Sequence, residues 1–263
     1  MTVADRDLVA AIESTLHFYP PVPGLTEALG ISGVQGRVTA VSHPLANLAG
    51  LARLDERNAD ETIVRVKERY GSRGLAFGWV TGPGTTPRDL ERRLLAAGTH
   101  KEEGGIAGMA LTDLAIPIRA NPEVTVREVG ADEALLHNAM MSRAYGLPPE
   151  VNEFFIRLLI RAPGIRARSY LASLGDGEPI AWSYLVYIPS SPIVLLGGAA
   201  TVPEARGHGV YTTLVKRRLD DARADGREAA VIQADRNTSA PICARLGFRE
   251  LCSLELFAWS PRA

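Results

Sequence analysis

The sequence predicts an α/β chain of the α+β kind, with a mixed central sheet flanked by helices, built in two parts. Three observations carry this. An apolar run over residues 193–200 leads into a turn with two glycines one residue apart, Gly207 and Gly209, and then into a helical pattern with Val210, Leu214, Val215, Leu219 and Ala222 on one face. A second apolar run at 229–234 follows as a buried strand. A strand–helix–glycine–strand order occurs twice, over 75–114 and again over 229–259.

Composition bounds the function. The chain has 263 residues, 46% of them hydrophobic, and a net charge of −1. That length buries a sizeable core and fits one or two domains. The balance of signs gives no basic surface for nucleic acid or an anionic membrane. No apolar run approaches the ~20 residues of a bilayer span. The first residues lack a basic-then-apolar signal pattern, and a cytoplasmic location is expected. Two cysteines, Cys243 and Cys252, make neither a disulfide framework nor a zinc pattern, and no metal is expected.

Taken in order, residues 4–18 read as an amphipathic helix with Leu8, Val9, Ile12 and Leu16 on one face, stopped by the prolines of 19–24. A strand is expected at 34–41 and a helix at 58–69. A short apolar strand at 75–80 precedes Thr86-Pro87, read as a helix start with a hydroxyl cap. Leu90, Leu94 and Leu95 give that helix its buried face, Gly98 ends it, and 106–114 is the next strand. The proline-punctuated stretch 116–122 divides a first part, 1–115, from a second, 123–263. The second part opens with a strand at 124–129. Asp132 is expected to cap a helix carrying Leu135, Leu136, Ala139 and Met140, and Pro148-Pro149 to open another carrying Phe154, Phe155, Leu158 and Leu159. Gly175-Asp176-Gly177 marks a hairpin turn between 167–173 and 180–188.

The glycine turn invites a phosphate. Its glycines let a ligand approach the backbone, and the helix behind it opens with unpaired N–H groups and a partial positive charge. Arg206 adds a fixed charge beside it. Gly-x-Gly alone is also an ordinary strand-to-helix turn. A P-loop is disfavoured because no Gly-Lys-Ser/Thr follows, and a dinucleotide site because Thr212 stands where a third glycine is needed.

Two motifs in order resemble the GCN5-related N-acetyltransferase (GNAT) superfamily. Glu204-Ala205-Arg206-Gly207-His208-Gly209, preceded by Pro203, is similar to that family's acetyl-CoA loop, and Asn237, Cys243 and Leu246-Gly247-Phe248 to its later motif. The resemblance covers residues 124–259. It implies a GNAT-like fold that holds acetyl-CoA, as cosubstrate, through Thr201, Val202, Arg206, Gly207, His208, Gly209, Val210, Tyr211 and Asn237. Residues 1–115 then read as a degenerate GNAT-like repeat without the phosphate turn, shaping the pocket and holding no cofactor, with a generic β-α-β segment or a purely structural partner domain as the alternatives.

Acetyl transfer from a thioester needs a neutral amine, a polarised carbonyl and an exit for the thiolate. The strand at 193–202 carries no acid or histidine to serve as base. The family's carbonyl contact is a bulge amide near Thr201. Its tyrosine at the thiolate exit is replaced by Cys243, the one candidate catalytic side chain, which is equally a small buried apolar group. His208 points to solvent or phosphate rather than to an amine. Glu204 departs from the family's Gln/Arg, and Tyr211 stands where the family often has glycine. Asp235 and Glu153 are the acids within reach. Asn237 is expected to cap the last helix besides touching the cofactor. The reading is an acetyl-CoA-dependent N-acetyltransferase acting on an amine by direct transfer in a ternary complex. The alternative is a non-catalytic acyl-CoA-binding or protein-interaction module of the same fold.

Overall fold

In the computed structural model, which describes residues 3–261, alternating apolar segments and glycine turns become one twisted sheet with helices on both faces. Met1 and Thr2, where the stretch read for a signal begins, lie outside the described residues. The first part runs α1 (Asp5–Ser14), β1 (Glu27–Ala28), β2 (Gln35–Val38), β3 (Leu48–Gly50), α2 (Ala59–Gly71), β4 (Phe77–Thr81), α3 (Leu90–Ala96), β5 (His100–Lys101) and β6 (Ile106–Leu111). The second runs β7 (Val124–Val129), α4 (Ala131–Leu136), α5 (Asn138–Tyr145), α6 (Pro149–Arg161), β8 (Arg166–Leu174), β9 (Ala181–Tyr187) and β10 (Ile193–Thr201). A 3₁₀ turn at Pro203–Ala205, α7 (Val210–Ala224), β11 (Ala229–Asp235), α8 (Ser239–Arg245) and β12 (Arg249–Trp259) complete it.

The strand order is β1-β2-β3-β4-β12-β6-β11-β10-β9-β8-β7, with β5 also on β12. The two parts repeat one plan. β3 and β4 are parallel and joined by α2, as β10 and β11 are parallel and joined by α7. Each pair is followed by a helix and a further strand. Those final strands are exchanged. β6, from the first part, pairs β11 along its whole length and β12 on its other edge. The far half of β12, from the second part, pairs β4. The sheet therefore crosses the connection at 116–122 without a break.

Burial explains the helices. On α7, Leu214, Val215, Leu219 and Ala222 are sealed against the sheet with α8 beside them. Each large aliphatic side chain so buried contributes roughly 1.5–3 kcal/mol. On the other face α1 packs over β6, β11 and β12, and α4, α5 and α6 over β8, β9 and β10. Gly98, at φ +83°, ends α3 as expected, with Thr99 N–H donating to Leu94 O. The hairpin about Gly175-Asp176-Gly177 also forms as read.

Several boundaries differ. α3 starts at Leu90 and not at Thr86, because the Thr86 hydroxyl accepts the Leu54 N–H at 3.1 Å and bridges to the segment after β3. Asp132 lies in the first turn of α4, behind Gly130 at the cap position. β2 stops at Val38, where Thr39 N–H donates to Asn47 Oδ1 instead of to a strand. α1 ends at Ser14, and the rest of the expected helix turns inward.

That inward turn fills the first part's counterpart of the second part's cleft. A Cβ on Gly50 of β3 would stand 2.5 Å from His17 Nε2 and 2.9 Å from Val80 O, so the imidazole lies directly over Gly50. Nearby, Gly84 N–H donates to Glu13 Oε1 at 2.8 Å. Neither ring nitrogen of His17 has a partner among the described residues. Burial, and then the Arg37 guanidinium, lower its pKa from 6.5 to about 3.

Two outcomes follow. Without residues 1–115 the sheet loses β6, so the fragment 120–263 should aggregate or run as an expanded species on gel filtration; a soluble compact monomer would contradict the exchange. Because His17 holds its proton only below about pH 3 when folded but below 6.5 when unfolded, its contribution to stability is complete above about pH 6.5. It is lost as pH falls toward 3, by up to about 1.4 kcal/mol per pH unit. Urea unfolding at several pH values should show a flatter acid dependence for His17→Gln than for the wild type; equal slopes would place the titration elsewhere.

Candidate active site

The cleft begins where two parallel strands part. β10 and β11 pair only over Ile193–Leu195 and Ala229–Val231. Beyond that β10 continues to Thr201 beside β9 alone, and β11 continues to Asp235 beside β6 alone. A bulge falls between Gly197 and Ala199. Gly197 is required there, since any Cβ would fall inside the Tyr184 ring. A Cβ on Gly198 would come within 2.5 Å of Tyr145 Oη. The bulge is earlier in the chain than the amide expected near Thr201. Thr201 instead closes the β10–β9 ladder opposite Ala181, and Val202 N–H is already donated to Ile180 O at 2.9 Å.

At the open end stands the glycine turn. Gly207 and Gly209 have φ of +82° and +71°, a conformation other residues adopt only with strain. Among the described residues, none of the backbone N–H groups from Gly207 to Thr212 has a turn or cap partner. A Cβ on Gly207 would meet nothing within 4 Å. Six consecutive free donors on an open turn at a helix N-terminus match the needs of a diphosphate. Val210 is the first residue of α7 and is buried, so it offers its amide and not its side chain.

Arg206 stands exposed beside this turn. Its guanidinium donates to Thr201 O at 3.2 Å and Ala144 O at 3.3 Å, tying the turn to the end of α5. Through these bonds Arg206 braces the loop while staying exposed beside it. Glu204 is paired with Arg143 on the surface. The His208 side chain is exposed, and its carbonyl accepts from Asn121 Nδ2 at 2.8 Å. Asn121 N–H donates to Thr213 Oγ1 at 3.1 Å, so the connection between the parts clasps the turn. Asn121 was not singled out in the sequence, where Asn-Pro signals only a turn.

Across the cleft, Asn237 does not cap α8. The cap position is Thr238, and Asp235 Oδ1 accepts from Asn237 N–H, Thr238 N–H and Thr238 Oγ1 at 2.8–3.0 Å. Asn237 remains exposed at the end of β11. Glu153 is paired with Arg157 at 2.7 Å on the surface of α6. Cys243 is fully buried, with Tyr211 Oη 3.3 Å from its Sγ. Burial raises both groups above their ordinary values; for Tyr211 the neighbouring Cys243 adds to the effect, and the Arg218 cation opposes it in both. A cavity of about 360 Å³ lies at the open end beside Asp235, lined by His43, Leu45, Glu102, Glu103 and Leu147. His43 Nδ1 accepts the Leu45 N–H at 3.2 Å, and burial lowers its pKa while Glu150 and Glu102 oppose the shift. Among the described residues no cluster has metal-ligand character, and no helix is long and apolar enough to cross a membrane.

A strand pair that parts at a bulge, a glycine turn with free amides, and a helix on each side form one recognisable arrangement. This is the fold of the GCN5-related N-acetyltransferases. No family model and no curated protein matches the sequence. Among solved structures, a GCN5-related N-acetyltransferase from Kribbella flavida superposes with a TM-score of 0.70 at 16% identity, over 100% of this chain and 97% of its own. One from Sphaerobacter thermophilus has a TM-score of 0.63 at 16% identity, over 88% and 78%. A tandem GNAT protein from the clavulanic acid biosynthesis pathway has 0.59 at 14%, over 88% and 79%. The GNAT likeness therefore spans both halves, whereas the sequence motifs lie only in the second.

Cys243 is fully buried in the core between α7 and α8, so Cys243→Ala should cost roughly 1 kcal/mol in chemical denaturation. An unchanged midpoint and slope would mean that the surrounding helices close over the gap.

Proposed function

We propose that the protein is an acetyl-CoA-dependent N-acetyltransferase that passes an acetyl group directly to an amine. The observation that carries this reading is the parting of β10 and β11 immediately before a turn with six unpartnered N–H groups. Such a turn suits the coenzyme's pyrophosphate, and the unpaired edge of β10 suits its amide-bearing arm. Gly207, His208, Gly209, Val210 and Tyr211 would hold the pyrophosphate by backbone amides, and Asn237 would face it from β11. Thr201 and Val202 would flank the arm at the end of the strand. Acetyl-CoA supplies the activated acyl group; the protein aligns it and excludes water.

The amine would enter through the cavity by Asp235 and Leu147, which the first part closes with His43, Leu45, Glu102 and Glu103. Residues 1–115 act in this reading as a repeat whose own cleft is filled by His17 and Glu13, and which shapes the acceptor pocket. With no acid or imidazole on β10, the amine reaches the thioester already neutral or sheds its proton to solvent. The same lack of a base favours the second reading, a binding module without turnover.

Calorimetry and a thiol-release assay test both. Acetyl-CoA should bind, and Gly209→Val should weaken binding at least tenfold, because the side chain strains a left-handed residue and enters the phosphate's space. Unchanged affinity in both Gly207→Val and Gly209→Val would exclude this turn as the coenzyme site. Release of free thiol only when an amine is present distinguishes the enzyme from the binding module.

A further inference from the structure

The bulge at which β10 leaves β11 is held by a side chain from the helix behind the glycine turn. Arg218, on the buried face of α7, is fully enclosed. Its Nε donates to Leu214 O at 3.1 Å, which ties the side chain back to its own helix. Its Nη1 donates to Gly197 O at 3.0 Å and to Tyr184 O at 3.2 Å. These two residues are the β10–β9 partners immediately before the bulge. The next pair is Ala199 with Ser183, so Gly198 has no partner on β9.

The arrangement is costly. Nη2 has no partner among the described residues, and the titratable groups that face the guanidinium, Tyr211, Tyr145, Cys243 and Tyr170, include no acid. A buried cation without a carboxylate lowers stability. An apolar side chain in line with Leu214, Val215 and Leu219 would avoid that cost, but it could not hold two carbonyls. Ladder bonds lie in the plane of the sheet, whereas α7 lies over one face of it. A carbonyl drawn toward the helix is therefore lost to the ladder. On the opposite face the Tyr184 ring covers the same point, where a Cβ on Gly197 or Gly198 would run into it. The bulge is gripped from both faces, two residues past Leu195, the last residue of β10 paired with β11. Helix α7 thus carries both features: the glycine turn at its N-terminus, and Arg218 eight residues after Val210, about 12 Å along the axis.

Resting on the acetyl-transfer reading, we propose that Arg218 is a positioning residue for the coenzyme's amide-bearing arm. By holding the Gly197 and Tyr184 carbonyls it keeps the bulge formed and the edge of β10 beyond Leu195 unpaired, ready for the amides of the arm. The pyrophosphate rests on the glycine turn and does not draw on Arg218. Arg218 touches no reacting atom and moves no proton.

The test compares acetyl-CoA with 3′-phosphoadenosine 5′-diphosphate, which keeps the phosphates of the coenzyme and lacks the arm. Calorimetry on the wild type should show a preference for acetyl-CoA. Arg218→Met fills much of the same volume without a donor. It should bind the nucleotide as the wild type does and lose about tenfold of the preference. Arg218→Lys keeps a cationic donor and should recover part of it. The retained nucleotide affinity shows that the variants are folded and separates the arm from the rest of the site, which a merely structural role would not do. A preference retained in Arg218→Met overturns the proposal. So does an equal loss of both ligands in either variant, which would make Arg218 a residue of the fold alone, and so does a wild type that binds both compounds equally. If neither compound binds the wild type, the acetyl-transfer reading itself is refuted.

Discussion

The structure depends on one pairing: β6 between β11 and β12. A strand from the first part occupies the edge of β11 that the second part's own last strand would otherwise take. β12 is displaced outward and spends its far half on β4. Each part is completed by the other, and a single sheet runs through both. This is why the connection at 116–122 is not a hinge. It lies pinned on the glycine turn by Asn121.

The cleft is a local consequence of the same sheet. β11 is held along its whole length by β6, while β10 is drawn toward β9 by the bulge at Gly197–Ala199. Arg218 takes the Gly197 carbonyl and Tyr184 covers the glycine from the other face. The strands part because each has a better partner on its far side. The first part has the same parallel pair, yet it folds His17 and Glu13 against it, and its turn into α2 carries no glycine pair. The strand–helix–strand plan is shared by both parts, while the glycine pair stands only in the second.

Much of this was legible in the residues. The apolar run, the two glycines and the stripe Val210, Leu214, Leu219 gave β10, the turn and α7, because local periodicity and left-handed glycines are written within a few positions. The fold class followed, and the structural likeness to GNAT proteins agrees with it. β3 was invisible, since three residues, Leu48-Ala49-Gly50, carry no period. The strand exchange was equally hidden, because nothing in β6 or β12 states which β-edge it will meet. Arg206 stands beside the turn as its position in the sequence indicates, but its bonds to the Thr201 and Ala144 carbonyls come only with tertiary packing. Arg218 stands on the buried stripe of α7, where an arginine breaks the apolar pattern. Tyr211 and Cys243 lie 32 positions apart, and only the packing of α7 on α8 brings them together.

The exchange of strands also bears on how the chain assembles. The first part cannot finish its sheet until β12 has been made, and the second cannot seat β12 until β6 has been placed. Both closures join residues more than a hundred positions apart, and such non-local pairings are slow to form. While they wait, β4 and β11 present bare edges to any strand nearby. A second copy of the chain carries the same β6 and β12, with the same registers. At high concentration, refolding therefore offers intermolecular exchange as a direct competitor of the native fold, and the product would be a swapped dimer with every native contact intact.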